Sequence, residues 1–536
     1  MSAASSAAPR AASPPLEHTD LKTWIAVLAS MMGAFIAILD IQITNSSLKD
    51  ILGTLSATQE EGSWVSTSYL VAEVIIIPMT GLLARVFGVR NYIIATTTAF
   101  LLISSLCGMA WNLPSMIVLR ALQGLAGGGL IPMAMTLVMT QLPPTKRAVG
   151  MALFGLTGTM APVLGITFGG YLSQSYGWPA IFYVNWIPGI LLIAGIAYGL
   201  APVNPQLERL WHADWFGIAF MALGLGSLTV FLEEGNLKDW FDSSLINICA
   251  ALACIGLLGW VLNNHFQKDP FVNLSLYGRR NFLVAAVLSA VSGIALYGSS
   301  FLIPLFLSQI ANYTPMQIGQ VIMWAGLPQL LVMPIVTALA PRVDNRILCS
   351  IGFGLFGVSC LMNSTMDAST GYDQLLVSQV VRALGQPFIM LIIANFAMKG
   401  VAPHETASAS ALFSMTRNLG GSMGIAILAT VLTKREHFHS ARLVESVTLA
   451  SPETQLRIGQ ITRTLLARGE DPWPIADDRI ARIIDTYARK DAYVMAYNDC
   501  FWIIGLILLG CIGIVWFADA HKTPAKPKPV AVSASK

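Results

Sequence analysis

Apolar residues in this 536-residue chain come in long runs. A helix needs about 20 mainly apolar residues to cross the hydrocarbon core of a bilayer. Laid against that length, the runs predict fourteen spanning helices, centred near Phe35, Glu73, Leu101, Ala126, Pro162, Leu191, Leu223, Ile255, Gly293, Leu330, Phe356, Ile389, Gly421 and Ile507. The runs are about twice the length of a barrel strand and do not alternate as such strands must. The expected fold class is therefore all-α and integral to the membrane. The first twenty residues, MSAASSAAPRAASPPLEHTD, hold no apolar stretch of the kind a cleavable signal needs; they read as a disordered Ala/Ser/Pro-rich tail.

Lysine and arginine in short loops mark the cytoplasmic side. With the N-terminus inside, seventeen fall on inner segments: Arg10, Lys22, Arg85, Arg90, Lys146, Arg147, Arg209, Lys268, Arg279, Arg280, Arg342, Arg346, Lys399 and four C-terminal lysines. The short outer loops hold two, Lys49 and Lys238. An even number of spans with both termini cytoplasmic follows. One outer segment is long: 434–495 carries ten Lys/Arg, a load that long loops translocate regardless of charge. Within it RIARIIDTYA places Ile480, Ile483, Ile484 and Tyr487 at helical spacing, predicting an amphipathic helix that packs on the membrane surface, on its own protein or on a partner.

Composition narrows the class further. Apolar residues make up 55% of the chain and charged ones 11%, against about 25% charged in soluble domains. That excludes a soluble globular protein and a disordered one. A net charge of +3 without basic clusters gives no reason to expect a nucleic-acid partner. The seven cysteines lie in apolar runs without a CxxC pair, so neither a metal site nor a disulfide framework is expected. No GxxxxGK[ST] loop is present, no cofactor is called for, and ATP is not the energy source.

The chain also repeats itself. LRALQG around Arg120 recurs as VRALGQ around Arg382, an offset of 262; LLARVFGVR around Arg85 recurs as LAPRVDNR around Arg342, an offset of 257; ALF at Ala152 recurs at Ala411, an offset of 259. Three matches in one order near one offset predict parallel six-helix repeats separated by an inserted pair, an architecture of secondary transporters. The expected organisation is a tail (1–20), a first six-helix bundle (21–200), an inserted hairpin (201–265), a second bundle (266–518, including the long outer segment) and a C-terminal cytoplasmic tail (519–536).

Several segments resemble motifs of the major facilitator superfamily, in its fourteen-span drug/proton antiporter branch of the EmrB/QacA type. GLLARVFGVRN (81–91) resembles the loop between spans 2 and 3, RALQGLAGGGL (120–130) the R-x-x-Q-G of span 4, and APVLGITFGGYLSQSYGWPAIFYVN (161–185) the antiporter motif with the segment that follows. LEEGNLKDWF (232–241) and VNLSLYGRRNF (272–282) resemble the surroundings of the inserted pair, and SMTRNLGGSMG (414–424) span 13. The chain departs from the family pattern at Arg85, where an acid is usual, at Ile166 in a proline position, and in span 1, where LDIQITNSSLK keeps Asp40 and Asn45. The resemblance implies gating or motif roles for Gly81, Arg85, Gly88, Arg90, Gln123, Gly124, Pro162, Gly165, Gly169 and Gly170. It also implies export of lipophilic compounds from the inner membrane and, in a host with two membranes, a periplasmic adaptor and an outer-membrane channel as partners.

Charge at mid-depth in a helix costs about 2.5–3.5 kcal/mol on insertion scales, which makes such residues candidates for function. Asp40, Glu73, Arg120, Arg382 and Arg417 are the five. Asp40 and Arg120 lie at similar depth in the outer halves of their spans. A carboxyl whose arginine or water contact changes between two states loads and releases a proton, so Asp40 and Glu73 are expected to carry protons with Arg120 modulating them. Structural pairing inside the bundle is the competing reading. Arg382 and Arg417 find no acid in their own half; backbone carbonyls, an acid across the domain interface or an anionic cargo group could answer them, with structural roles favoured. Soft and aromatic side chains suit varied hydrophobic ligands, and Trp64, Tyr69, Phe182, Tyr183, Trp186, Tyr297, Phe301, Met323, Trp324 and Met390 are expected to line the cavity, with a headgroup-level aromatic belt as the rival reading. A multidrug exporter, a dedicated exporter of one metabolite such as a fatty acid or siderophore, and, remotely, a membrane enzyme remain; only the last needs a cluster such as His437 and His439 supply weakly.

Overall fold

The computed structural model describes residues 20–519, except 212, 268–269, 403–404, 447–451, 453–454, 457, 461–462 and 464–475. Fourteen long helical elements follow one another: α1 (Leu21–Ser46), α2 (Gln59–Phe87), α3 (Val89–Cys107), α4 (Leu113–Gln141), α5 (Pro144–Tyr176), α6 (Ala180–Gly199), α7 (Trp215–Gly235), α8 (Ser244–Phe266), α9 (Arg280–Gln309), α10 (Met316–Leu339), α11 (Asn345–Asn363), α12 (Tyr372–Met398), α13 (Thr406–Ser446) and α14 (Ala476–Val515). Among the described residues thirteen are long and apolar enough to cross a membrane. The one below that mark is α13, whose apolar run is interrupted by Arg417, Asn418, two glycines and Ser422.

Helix ends near the bilayer must satisfy their own backbone groups, and the sequence supplies the caps. Thr58 and Glu61 form a capping box on α2, Asn112 and Ser115 on α4, and Thr314 and Gln317 on α10. Asp214 opens α7 by accepting from the Gly217 amide at 2.9 Å. Two spans are broken inside. α4 is interrupted by a two-residue turn at Gly128–Gly129, and α10 passes through one tight turn, Met323–Ala325, ahead of Pro328.

The packing repeats with a step of eight helices. α1 packs on α4, α5 and α6, and α4 on α2 and α3; in the same way α9 packs on α12, α13 and α14, and α12 on α10 and α11. Small residues make the tightest crossings. A Cβ on Gly165 would lie 2.7 Å from Gln42 Cβ and 3.2 Å from the Leu39 carbonyl of α1, and one on Gly424 would lie 2.6 Å from Ile294 Cα of α9. The two bundles meet along α2/α13 and α5/α10. Helix α7 lies across the α2/α13 seam, touching both, with α8 outside it. On α8, Ile248, Ile255, Leu258, Val261 and Leu262 are exposed, the apolar face a lipid-contacting helix requires.

Beyond the membrane the described residues of the segment expected as a loop are helical. α13 continues through 434–446 and α14 begins at Ala476, so RIARIIDTYA is helical. The side chains of Ile480, Ile483 and Ile484, like residues 1–19 and 520–536, lie outside the described set; Tyr487 is exposed. At the base of this projection Asp499 of α14 takes Arg435 Nε at 2.6 Å and His439 Nε2 at 2.7 Å from α13.

Candidate functional site

Asp40 and Arg120 meet. Arg120 Nη1 donates to Asp40 Oδ2, and the pair is fully buried. Asp40 Oδ1 accepts from Gln123 Nε2 and from Asn185 Nδ2, each at 2.9 Å. Arg120 also donates from Nε to the Val65 carbonyl at 3.3 Å and from Nη1 to Gln123 Oε1 at 2.8 Å. The Tyr69 ring lies 4.3 Å from its guanidinium carbon and the Phe182 ring 6.0 Å. Every element of the first bundle except α5 thus contributes to or borders one network, with Ser104 of α3 bonded to Asn185 Nδ2 at 3.0 Å and Asn185 Oδ1 left without a partner among the described residues. Such a buried ion pair holds only while its remaining valences are filled.

Glu73 is organised differently. Buried on α2, it packs against Gly128, where α4 breaks: a Cβ on that glycine would lie 3.0 Å from Glu73 Cα and Cγ. Its Oε1 accepts from Asn418 Nδ2 on α13 at 3.4 Å, and among the described residues its Oε2 has no hydrogen-bond partner. Arg417 precedes Asn418 on α13 and forms no salt bridge with Glu73 among the described residues. The arginine in turn lies 3.8 Å from Met390 Sδ, beside the Tyr297 hydroxyl and Gly158 of α5. Arg417, Tyr297 and Met390 therefore converge on the seam between bundles, with the acid from one half and the cation from the other.

The remaining expected cavity residues disperse. Tyr69 and Phe182 are buried against Arg120; Trp186 Nε1 donates to Ser105 at 2.7 Å; Trp324 Nε1 donates to the Tyr372 hydroxyl at 2.7 Å; Phe301 packs partly buried in the core. An open cleft of about 940 Å³ lies elsewhere, between the N-terminal end of α5 and the C-terminal end of α10. Its walls include Leu153, Leu156, Leu330, Met333 and Phe396, and its inner rim carries Arg147 and Lys399. Farther out the same two helices touch: a Cβ on Gly319 would lie 2.5 Å from Thr167 Oγ1, and one on Gly326 2.8 Å from Met160 Sδ. The cleft's residues gave no signal in the sequence because apolar side chains facing a cleft and facing lipid read alike.

The motif residues occupy seams and turns. Gly81 abuts α13, where a Cβ would lie 3.4 Å from Ser408 N. Arg85 Nε donates back to the Gly81 carbonyl at 3.2 Å and its Nη2 reaches the Phe271 carbonyl at 3.4 Å. Gly88 has φ +79, a conformation open to glycine without strain, and makes the tight turn from α2 to α3. Arg90 Nη2 donates to the Ala197 carbonyl of α6 at 3.4 Å. A Cβ on Gly124 would lie 3.1 Å from Ala72 Cβ, and one on Gly169 2.9 Å from the Ile43 carbonyl; Gly170 is buried and Pro162 sits within α5. Two polar contacts had no forewarning. Glu234 of α7 accepts from Ser63 Oγ at 3.0 Å and Thr67 Oγ1 at 2.8 Å on α2, and Glu233 faces Ser422 of α13.

A twinned helical bundle with buried charges at its seam defines a membrane transporter of the rocking type. The Major Facilitator Superfamily model matches residues 30–425, and the chain belongs to that superfamily, in its EmrB-type branch. The colistin resistance protein EmrB of Acinetobacter baumannii is 32% identical over 93% of this chain and 97% of its own length. The multidrug export protein EmrB of Escherichia coli K12 is 30% identical over 94% and 96%. In fold the chain is similar to the human organic anion transporter MFSD10, with a TM-score of 0.57 at 11% identity, covering 94% of this chain and 100% of that one. The chain is a multi-pass membrane protein, and its relatives are transporters.

Proposed function

We propose that this protein is a proton-coupled antiporter of the inner membrane that exports hydrophobic or amphipathic compounds by alternating access. It would be arranged as six, two and six spans with both termini cytoplasmic, and would not be an enzyme. The observation that carries the reading is Glu73: an acid on one bundle whose hydrogen-bond partner, Asn418, sits on the other, next in the chain to Arg417. Any relative movement of the bundles changes the charge and the donor that Glu73 meets, and with them its hold on a proton. Its unpartnered Oε2 supports Glu73 as the carboxyl that titrates in this arrangement. Asp40 is held by three donors and would follow only when Arg120 moves away.

The cleft supports entry of lipophilic cargo from the inner side, with its apolar walls and closed outer end. A proton entering against an inside-negative potential supplies about 2.3 kcal/mol per 100 mV. The names of the EmrB relatives support a cargo of varied drugs, and a periplasmic adaptor with an outer-membrane channel would complete the route in a two-membrane host. The test is transport in liposomes with an imposed pH gradient and an internal pH dye. Glu73→Gln and Asp40→Asn should each abolish proton-driven export while the protein stays folded in the bilayer. Full cargo efflux by the double variant, or efflux indifferent to uncouplers, defeats the proposal.

A further inference from the structure

The two bundles treat their equivalent arginines unequally. On α4 Arg120 meets the carboxylate of Asp40, twenty residues into α1; on α12 Arg382 meets the hydroxyl of Ser300, at the same depth of α9. Arg382 Nη2 donates to Ser300 Oγ at 3.1 Å and to the Leu296 carbonyl at 3.5 Å, and the Phe356 ring lies 5.3 Å from its guanidinium carbon. Its Nε has no hydrogen-bond partner among the described residues, and no acidic side chain is among the groups bonded to its guanidinium there. One turn outward on the same face of α12, Gln379 is 0% exposed and neither of its amide atoms is bonded. In the first bundle the amide nearest the arginine along the helix, Gln123 three residues past Arg120, is spent on Asp40.

A buried guanidinium without a counter-charge, flanked by a buried amide and a hydroxyl with capacity to donate, has the chemistry of an anion site. We propose that Arg382, Gln379 and Ser300 bind a small monovalent anion, such as chloride, which takes the place in the second bundle that the Asp40 carboxylate holds in the first. One guanidinium calls for a single negative charge. The arginine points between α9 and α11 inside its own bundle, away from the cleft between α5 and α10, so an ion suits the place and a cargo headgroup does not.

The test is thermal unfolding of the full chain in detergent, in sodium chloride against sodium gluconate at matched ionic strength. The native protein should show a saturable rise in Tm with chloride, and Arg382→Gln should lose it. Ser300→Asp builds the missing carboxylate and should give a folded protein whose Tm no longer responds to chloride, which keeps the test decisive if Arg382→Gln does not fold. Equal Tm in the two salts, or an undiminished chloride response in Ser300→Asp, overturns the proposal. So does stabilisation by sodium octanoate without any by chloride.

Discussion

Among the described residues three guanidinium groups lie at bilayer depth, and each is answered differently. Arg120 is met by an acid of its own bundle, Arg417 packs against Met390 at the seam without an ion pair, and Arg382 is met by a hydroxyl and a carbonyl. Breaking a buried pair from one side strands the other charge and costs about 3–5 kcal/mol, whereas replacing both partners costs far less. Arg120→Ala should therefore destabilise the protein more than the double change Asp40→Asn with Arg120→Gln, read as Tm in detergent; a double variant no better than the single one refutes the account. The charged members of these centres were legible in the sequence because a charge in an apolar run stands out. Asn185 and Gln123 were not read as partners of Asp40, since uncharged polar residues are common in spans and nothing in their spacing reveals what they face.

At the scale of elements, the inserted hairpin is fastened to the bundles by few polar contacts. Glu234 holds two hydroxyls of α2, and Trp240 Nε1 donates to Thr430 Oγ1 of α13 at 3.0 Å. Glu234→Ala leaves Ser63 and Thr67 without this acceptor, and losing buried hydrogen bonds of this kind costs about 1–3 kcal/mol. The expected outcome is a lower Tm and faster proteolysis in the turn joining α7 to α8; unchanged digestion would refute the fastening role. Most helices were legible from run length alone. The exception lies within 434–495: RIARIIDTYA reads as an amphipathic helix and is helical, whereas 434–446 reads as loop because its charges end the apolar run, although such residues are compatible with helix once water surrounds it. The breaks in α4 and α10 were not predicted either: glycine and proline within a long apolar run leave the span intact while allowing the local turn.

For the whole molecule, the repeat offset of about 260 residues translates into packing that recurs every eight helices, but the cleft depends on how far the bundles are rotated, which no local pattern encodes. The outer contact of Thr167 with Gly319 gives a handle on that rotation. Thr167→Cys with Gly319→Cys should form a disulfide, since the two positions are within a few tenths of an ångström of the Cβ separation of about 3.5–4.5 Å such bonds need. Export should stop on oxidation and return on reduction; uninterrupted export by the oxidised protein would show that the outer contact need not open.

One consequence reaches past the bilayer. Arg417 and Ser446 belong to one unbroken helix, 29 residues apart, which at 1.5 Å per residue is about 44 Å. Such a rod is a lever arm: swinging α13 by about 5° at the depth of Glu73 carries its tip sideways by about 4 Å. The clasp of Asp499 on Arg435 and His439 couples α14 to the same swing. Any rocking of the bundles about the seam would thereby reach the projecting end of α13 and α14 as a sideways displacement.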